Sequence, residues 1–229
     1  MTARLDKLLS SLGYCSRRDV SKLLRSGIVL VNGQPAKSAD QKVEAEHVTY
    51  EGQPLDPGPG MLIMLHKPAG FICSHSDAGE SVFDLLPRRF DCRNPLLSCV
   101  GRLDKDTTGL LLLTDDGELL HKLTSPKHHT AKVYRVELEK DLQGNEGKVF
   151  ASGELMLEEE DSPLLPAEMQ VLNERTALLT LHEGRYHQVK RMFLALDNKV
   201  VKLHRVSVGE YELGDLAEGS WRFAECKSK

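Results

Sequence analysis

The sequence predicts an α+β protein. A small N-terminal module of helices and short strands is joined by a linker to a larger domain on a mainly antiparallel mixed sheet. Three observations lead there. Strand signals outnumber helical ones after residue 60. The run GQPLDPGPG, Gly52 to Gly60, holds three prolines and three glycines at intervals that suit neither helix nor strand, and so reads as the linker. The 229-residue length suits one domain plus a small second one, at about 150 residues per domain. Residues 1–58 are expected to form the module, about 52–60 the linker, and 59–229 the second domain.

In the module, Leu5, Leu8, Leu9 and Leu12 fall at helical spacing. Ser16 with Asp19 has the form of a capping box for a second helix, whose apolar face is Val20, Leu23 and Leu24 and which Gly27 stops. Ile28–Val31 reads as a strand, Asn32-Gly33 as a hairpin turn and His47–Tyr50 as a further strand. Beyond the linker, Met61–His66 is apolar and is broken by Lys67-Pro68. Leu96–Val100 leads into the loop Arg102–Asp104, and Leu110–Thr114 is a buried strand ending at an Asp115-Asp116-Gly117 turn. In KVYRVEL (Lys132–Leu138), Tyr134, Val136 and Leu138 share one face and Val133, Arg135 and Glu137 the other. Ala177–His182 is apolar, Tyr186–Leu196 is helical with Val189, Phe193 and Leu196 in one stripe, and Val200–Val208 alternates.

Composition excludes several classes. Hydrophobic content is 40% and charged content 28%, values of an ordinary soluble domain. Nothing approaches the ~18 apolar residues of a membrane span, and the opening MTARLDKLLSSLG lacks a secretory core. A cytoplasmic protein without membrane contact is expected. Five cysteines without a CxxC pair argue against both a disulfide scaffold and structural zinc. Net charge is −4, but it is segregated. Arg4, Lys7, Arg17, Arg18, Lys22, Arg25, Lys37 and Lys42 outnumber Asp6, Asp19 and Asp40 in the module. A second basic stretch runs from His182 to Arg205, and the compensating acid lies between Glu137 and Asp161. Local basic patches can hold a polyanion despite a negative total, although a solvated charged face has the same appearance.

The stretch GRLDKDTTGLLLLTDDG (Gly101–Gly117) places Arg102, Asp104, Lys105 and Asp106 at the mouth of a leucine run, a polar loop on a buried strand. It resembles the catalytic-aspartate motif of RNA pseudouridine synthases, in the wording of the RsuA family. Three more stretches resemble that family's motifs in order: HKPAG (His66–Gly70, with His66 where Asn is usual), TSPKHHTAKVYRVEL (Thr124–Leu138) and EGRYHQVKRMF (Glu183–Phe193). Residues Arg4 to Val31, with the following VNG, resemble an S4-type RNA-binding module.

The resemblance implies an isomerase that detaches uracil from its ribose, turns it and rejoins it through C5, with no cofactor and no metal. By similarity Asp104 is the catalytic carboxylate, attacking the ribose or removing a proton from it. Tyr134 stacks on the base, and Lys190 is the basic partner that holds Asp104. Neighbours on a helix point about 100° apart, so either Lys190 or the adjacent Arg191 should face the site, with Lys190 preferred. Arg102 would fill the space of an extruded base or hold a phosphate. Arg191 and Arg185 would contact RNA in the site domain, and Arg17, Arg18, Lys22 and Arg25 would contact phosphates from the module. His128-His129, His187 and Gln188 read as local satisfiers of backbone rather than as ligands. Overall length, motif wording and a chain ending at Lys229 without a Lys/Arg-rich tail resemble the small-subunit branch of the family. The expected partner is therefore 16S rRNA or a small-subunit assembly intermediate, at uridine 516, acted on by a monomer. A 23S rRNA enzyme, a non-catalytic ribosome-assembly factor and, more distantly, a nucleosidase are the alternatives.

Overall fold

The computed structural model describes residues 2–226; the chain end at Lys229 lies outside them. Contacts divide the chain into two compact units: residues up to Met61 together with Leu86–Ser98, and Leu62–Leu85 together with the chain from Cys99 onward. A contiguous division at 58/59 does not anticipate the return of 86–98 to the first unit.

The first unit contains β1 (Thr2–Arg4), α1 (Leu5–Ser11), α2 (Val20–Arg25), β2 (Val29–Val31), β3 (Gln34–Pro35), β4 (Lys42–Glu44), β5 (Val48–Tyr50) and β6 (Gln53–Pro54). β1 pairs with β4, and a second sheet runs β3-β2-β5-β6. Leu5 and Leu9 of α1 meet Val20, Val29, Val43 and Val48 in one buried cluster. Asn32 and Gly33 both take positive φ (50° and 73°), the conformation a two-residue hairpin between twisted strands requires.

Two local readings are corrected. The capping box is not formed: Asp19 sits in helical conformation as N-cap without a side-chain cap, and Ser16 Oγ donates instead to the Asp19 carboxylate. The linker is partly ordered as strand, because β6 pairs with β5. Its next residues are tied down by the returning segment. The Arg89 guanidinium grips Asp56 through two hydrogen bonds of 2.5 and 2.9 Å, and Arg93 donates to the Pro57 carbonyl at 2.8 Å. These partners lie over thirty positions apart, so no local pattern reveals them.

The second unit contains β7 (Leu62–Lys67), β9 (Thr108–Thr114), α3 (Gly117–Thr124), β10 (Lys132–Leu138), α4 (Glu146–Ser152), β11 (Glu168–Asn173), β12 (Thr176–Leu181), α5 (Gln188–Leu194), β13 (Val200–Val208), β14 (Tyr211–Glu212) and β15 (Trp221–Ala224), and it begins again after the returning segment at the second residue of β8 (Ser98–Cys99). The sheet path is β11-β12-β10-β13-β9-β7-β15, with β8 and β14 as two-residue additions. Its pairings are antiparallel except β13 with β9, giving the mixed, mainly antiparallel sheet expected. β7 and β9 are buried on both faces, which is why they read as continuous apolar runs. Leu62, Met64, Leu110 and Leu112 pack with Leu123 of α3 and with Val208, Tyr211 and Leu213.

β10 keeps its two-residue period, burying Tyr134, Val136 and Leu138. The Asp115–Gly117 turn is also a helix start: Asp116 Oδ1 accepts from the backbone N–H groups of Glu118 (2.9 Å) and Leu119 (3.1 Å), and α3 follows. α3, α4, β11 and β15 are too short or too exposed to leave a strong periodic signal. No helix among the described residues is long and apolar enough to cross a membrane.

Candidate active site

Asp104 lies in the loop between β8 and β9. That loop is braced from below by the end of β7. Lys67 is wholly buried, and its ammonium donates to the carbonyls of Pro68 (3.0 Å), Lys105 (3.2 Å) and Thr107 (2.8 Å). Gly70 N–H donates to Lys105 O at 2.8 Å, and Thr107 N–H to Asp104 O at 3.1 Å. Leu103 N–H reaches the Cys73 sulfur at 3.5 Å. A buried ammonium needs acceptors on every proton, and here two of the three acceptors are carbonyls of the Asp104 loop. Burial holds Lys67 below its ordinary pKa, with Cys73, Asp106 and Asp104 opposing. Beside it, a hydrogen bond from Cys99 pulls the Cys73 thiol well down.

α5 brings the cation. Lys190 Nζ lies 3.2 Å from Asp104 Oδ2 and 2.6 Å from Asp106 Oδ1. Burial would lower the Lys190 pKa, but the two carboxylates outweigh it and raise it above the ordinary value. Burial likewise opposes ionisation of Asp106, and Lys190 overrides it. Of the adjacent pair, Lys190 therefore faces Asp104 and Arg191 does not. Arg191 turns away to Glu160 at 2.6 Å and to the Glu158 and Tyr186 carbonyls.

Arg185 is committed in the same way. It holds Glu183 and Glu160 at 3.0 Å each, together with the carbonyls of Ser162 and Pro163. Its neighbours complete the turn. Gln188 Oε1 accepts from Arg185 N–H and its Nε2 donates to Glu183, both at 2.9 Å. The expected RNA contacts Arg185 and Arg191 thus have their guanidinium groups occupied by protein partners. The basic motif holds its own turn in shape through Glu183 and Glu160.

His187, read from the sequence as a backbone satisfier, instead points its Nε2 at Asp104 Oδ1, 3.3 Å away. It does so from a left-handed backbone, φ +47°. The Asp104 side chain is 25% exposed, flanked by one imidazole and one ammonium.

These groups border a cavity of ≈ 180 Å³ lined by Arg102, Asp104, Lys132, Tyr134, His187 and Arg205 among others. Tyr134 and Arg205 are register partners on β10 and β13 and so share a sheet face. Arg205 is 1% exposed. Its Nε donates to Leu110 O at 2.8 Å, while one terminal nitrogen has no hydrogen-bond partner. Arg205 and Lys67 escaped the sequence reading. The available signal was a cation inside an apolar strand, which only a buried acceptor set can tolerate.

Arg17, Arg18, Lys22 and Arg25 are all exposed on the first unit, on or beside α2. Among the described residues, the grouping with metal-ligand spacing is Glu44, Glu46 and His47, on the first unit. It is exposed to intermediate in burial and has no counterpart at Asp104.

Comparison with known proteins agrees across the chain. A family model described as RNA pseudouridylate synthase matches residues 61–195, and an S4 domain model matches residues 3–49. Ribosomal small subunit pseudouridine synthase A of Pasteurella multocida is 44% identical over 225 residues, covering 96% of this chain and 94% of the relative. The protein of the same name from Escherichia coli K12 is 41% identical over 223 residues, covering 96% and 95%. A crystal structure of a pseudouridylate synthase superposes with a TM-score of 0.68 at 38% identity, covering 97% of this chain and 96% of that one.

Proposed function

The chain belongs to the RNA pseudouridylate synthase family, and from that premise we propose that it isomerises a uridine of small-subunit ribosomal RNA, uridine 516 of 16S rRNA, with Asp104 as the catalytic carboxylate. The observation that carries this reading is the placement of Asp104 between His187 and Lys190 at the wall of a cavity shared with Tyr134.

The chemistry asks for few groups. A uridine in a helix must first leave its stack, at a cost of about a few kcal/mol. Arg102, exposed at the cavity rim, is placed to hold a phosphate or occupy the vacated space. Tyr134 supplies an aromatic face for the extruded base. Asp104 then acts on the ribose, as nucleophile or as base, while the glycosidic bond breaks and the uracil turns to present C5. Lys190, 3.2 Å from the carboxylate, holds it in orientation, which lowers the reorganisation needed at the moment of reaction. None of these roles calls for a cofactor. The N-terminal unit, through Arg17, Arg18, Lys22 and Arg25, contributes phosphate contacts that position the protein without reading sequence. Residues 1–58 serve as the RNA-binding domain and 59–229 as the catalytic domain of a cytoplasmic enzyme.

The test uses 16S and 23S rRNA transcripts tritiated at uridine C5, with Asp104→Asn alongside. Tritium release from 16S RNA alone, abolished by the substitution, is the expected result. Release from 23S RNA alone moves the substrate. No release from either RNA or from partly assembled particles, with RNA binding intact, sinks the enzyme reading in favour of an assembly factor.

A further inference from the structure

We infer that Tyr186 and His187 form a second subsite beside the Asp104 cavity: a stacking platform for the nucleotide adjoining the reacting uridine. This inference rests on the RNA-isomerase reading and extends it to a neighbouring base.

Tyr186 is 73% exposed, a large aromatic surface left in water. Its ring stacks on His187 with centroids 3.9 Å apart and planes inclined by 19°. One ring thus supports the other, and most of the tyrosine surface is open. The pair is held in position by the turn below it. Gln188 N–H donates to Arg185 O at 3.2 Å, and the Arg191 guanidinium donates to Tyr186 O at 3.2 Å. The rings also line a second cavity of ≈ 440 Å³ whose other walls include Arg102, Asp104 and Lys105. Arg102 and Lys105 are exposed cations.

An open aromatic face beside two exposed cations is the arrangement that binds single-stranded nucleic acid: the base stacks and the phosphates pair with the cations. The distance to chemistry fits. His187, the inner ring of the stack, lies 3.3 Å from Asp104, so a base on the open face of Tyr186 is separated from the reacting residue by two stacked rings. A nucleotide next to a flipped-out uridine loses a stacking partner, and Tyr186 replaces it. Because every base has a π-face, the platform accepts any of the four bases. It adds affinity and holds the strand open rather than reading sequence.

The full chain is tested on a 16S rRNA fragment around uridine 516, made with 2-aminopurine or an abasic residue at each adjoining position in turn. Wild type is expected to quench the 2-aminopurine at one of the two positions. Tyr186→Phe retains the quench, whereas Tyr186→Ala loses it and binds the RNA about tenfold more weakly. On the abasic RNA, Tyr186→Ala costs nothing further. Quenching that survives Tyr186→Ala, or an equal alanine penalty on intact and abasic RNA, overturns the inference. Tritium release by wild type is followed on a parallel C5-tritiated fragment. Release without tyrosine-dependent quenching rejects the platform alone. Tyrosine-dependent quenching without release keeps the platform and rejects the isomerase reading.

Discussion

Asp104 and Lys190 meet at 3.2 Å, and the same ammonium lies 2.6 Å from Asp106, so one cation serves two carboxylates set two residues apart. Removing it leaves two like charges side by side. Lys190→Met is expected to lower the single-turnover rate by about 10²-fold or more, and Lys190→Arg by far less, because the charge is kept. In the methionine variant the Asp106 carboxyl loses the interaction that holds it below its ordinary value. The Asp106 titration, followed by carboxyl NMR, should then move upward, while Lys190→Arg should leave it nearly in place.

Lys67 ties the Asp104 loop to β7. Lys67→Met replaces a buried ammonium with a side chain of similar length and leaves three carbonyls without their donor. A loss of about 3 kcal/mol is expected, read from the urea midpoint. Two of those carbonyls belong to Lys105 and Thr107, so the surviving folded enzyme should lose rate at saturating RNA more than it loses RNA affinity.

Gly109 sits where β9 and β13 pair in parallel, opposite Arg205. With φ at +106°, a Cβ there would lie 2.3 Å from Arg205 O and 2.6 Å from Arg205 N, both backbone atoms that cannot move aside. Gly109→Ala is expected to destabilise the protein by about 3 kcal/mol or more. Thermal unfolding monitored by circular dichroism would show it, and a melting temperature equal to wild type would mean the two strands can separate freely at this point.

Glu160 is held below the usual carboxylate range by Arg191 and then by Arg185. Its folded-state pKa is lower than its unfolded value of 4.5. Between the two, the unfolded chain binds the extra proton, so stability is present above about pH 4.5 and is lost as pH falls through the folded value. Urea unfolding followed from pH 6 to pH 3 should show this loss. Glu160→Gln should flatten part of the slope while lowering stability at neutral pH.

What was legible in the sequence is what neighbouring residues decide among themselves. The alternation of Tyr134, Val136 and Leu138 set the buried face of β10, because side chains on a strand alternate whatever packs against them. Asn32-Gly33 marked its hairpin because the turn requires positive φ at both residues. A largely antiparallel sheet was legible from its strand runs, whereas the one parallel pairing on its path, β13 with β9, was not, and Asp104 stood out as a charge at the mouth of a leucine strand. The tertiary structure alone decided the partners. Lys190 lies 84 positions from Asp106 and Lys67 lies 40 from Thr107. The Arg89–Asp56 pair likewise draws 86–98 into the first unit across 33 positions. A buried ion or an ion pair depends on which surfaces meet after the chain has folded. For that reason the choice between Lys190 and Arg191, the diversion of Arg185 to Glu160 and the turn of His187 toward Asp104 could not be read from spacing. Helical geometry says that adjacent residues diverge, and only the packing of α5 says which one meets the aspartate.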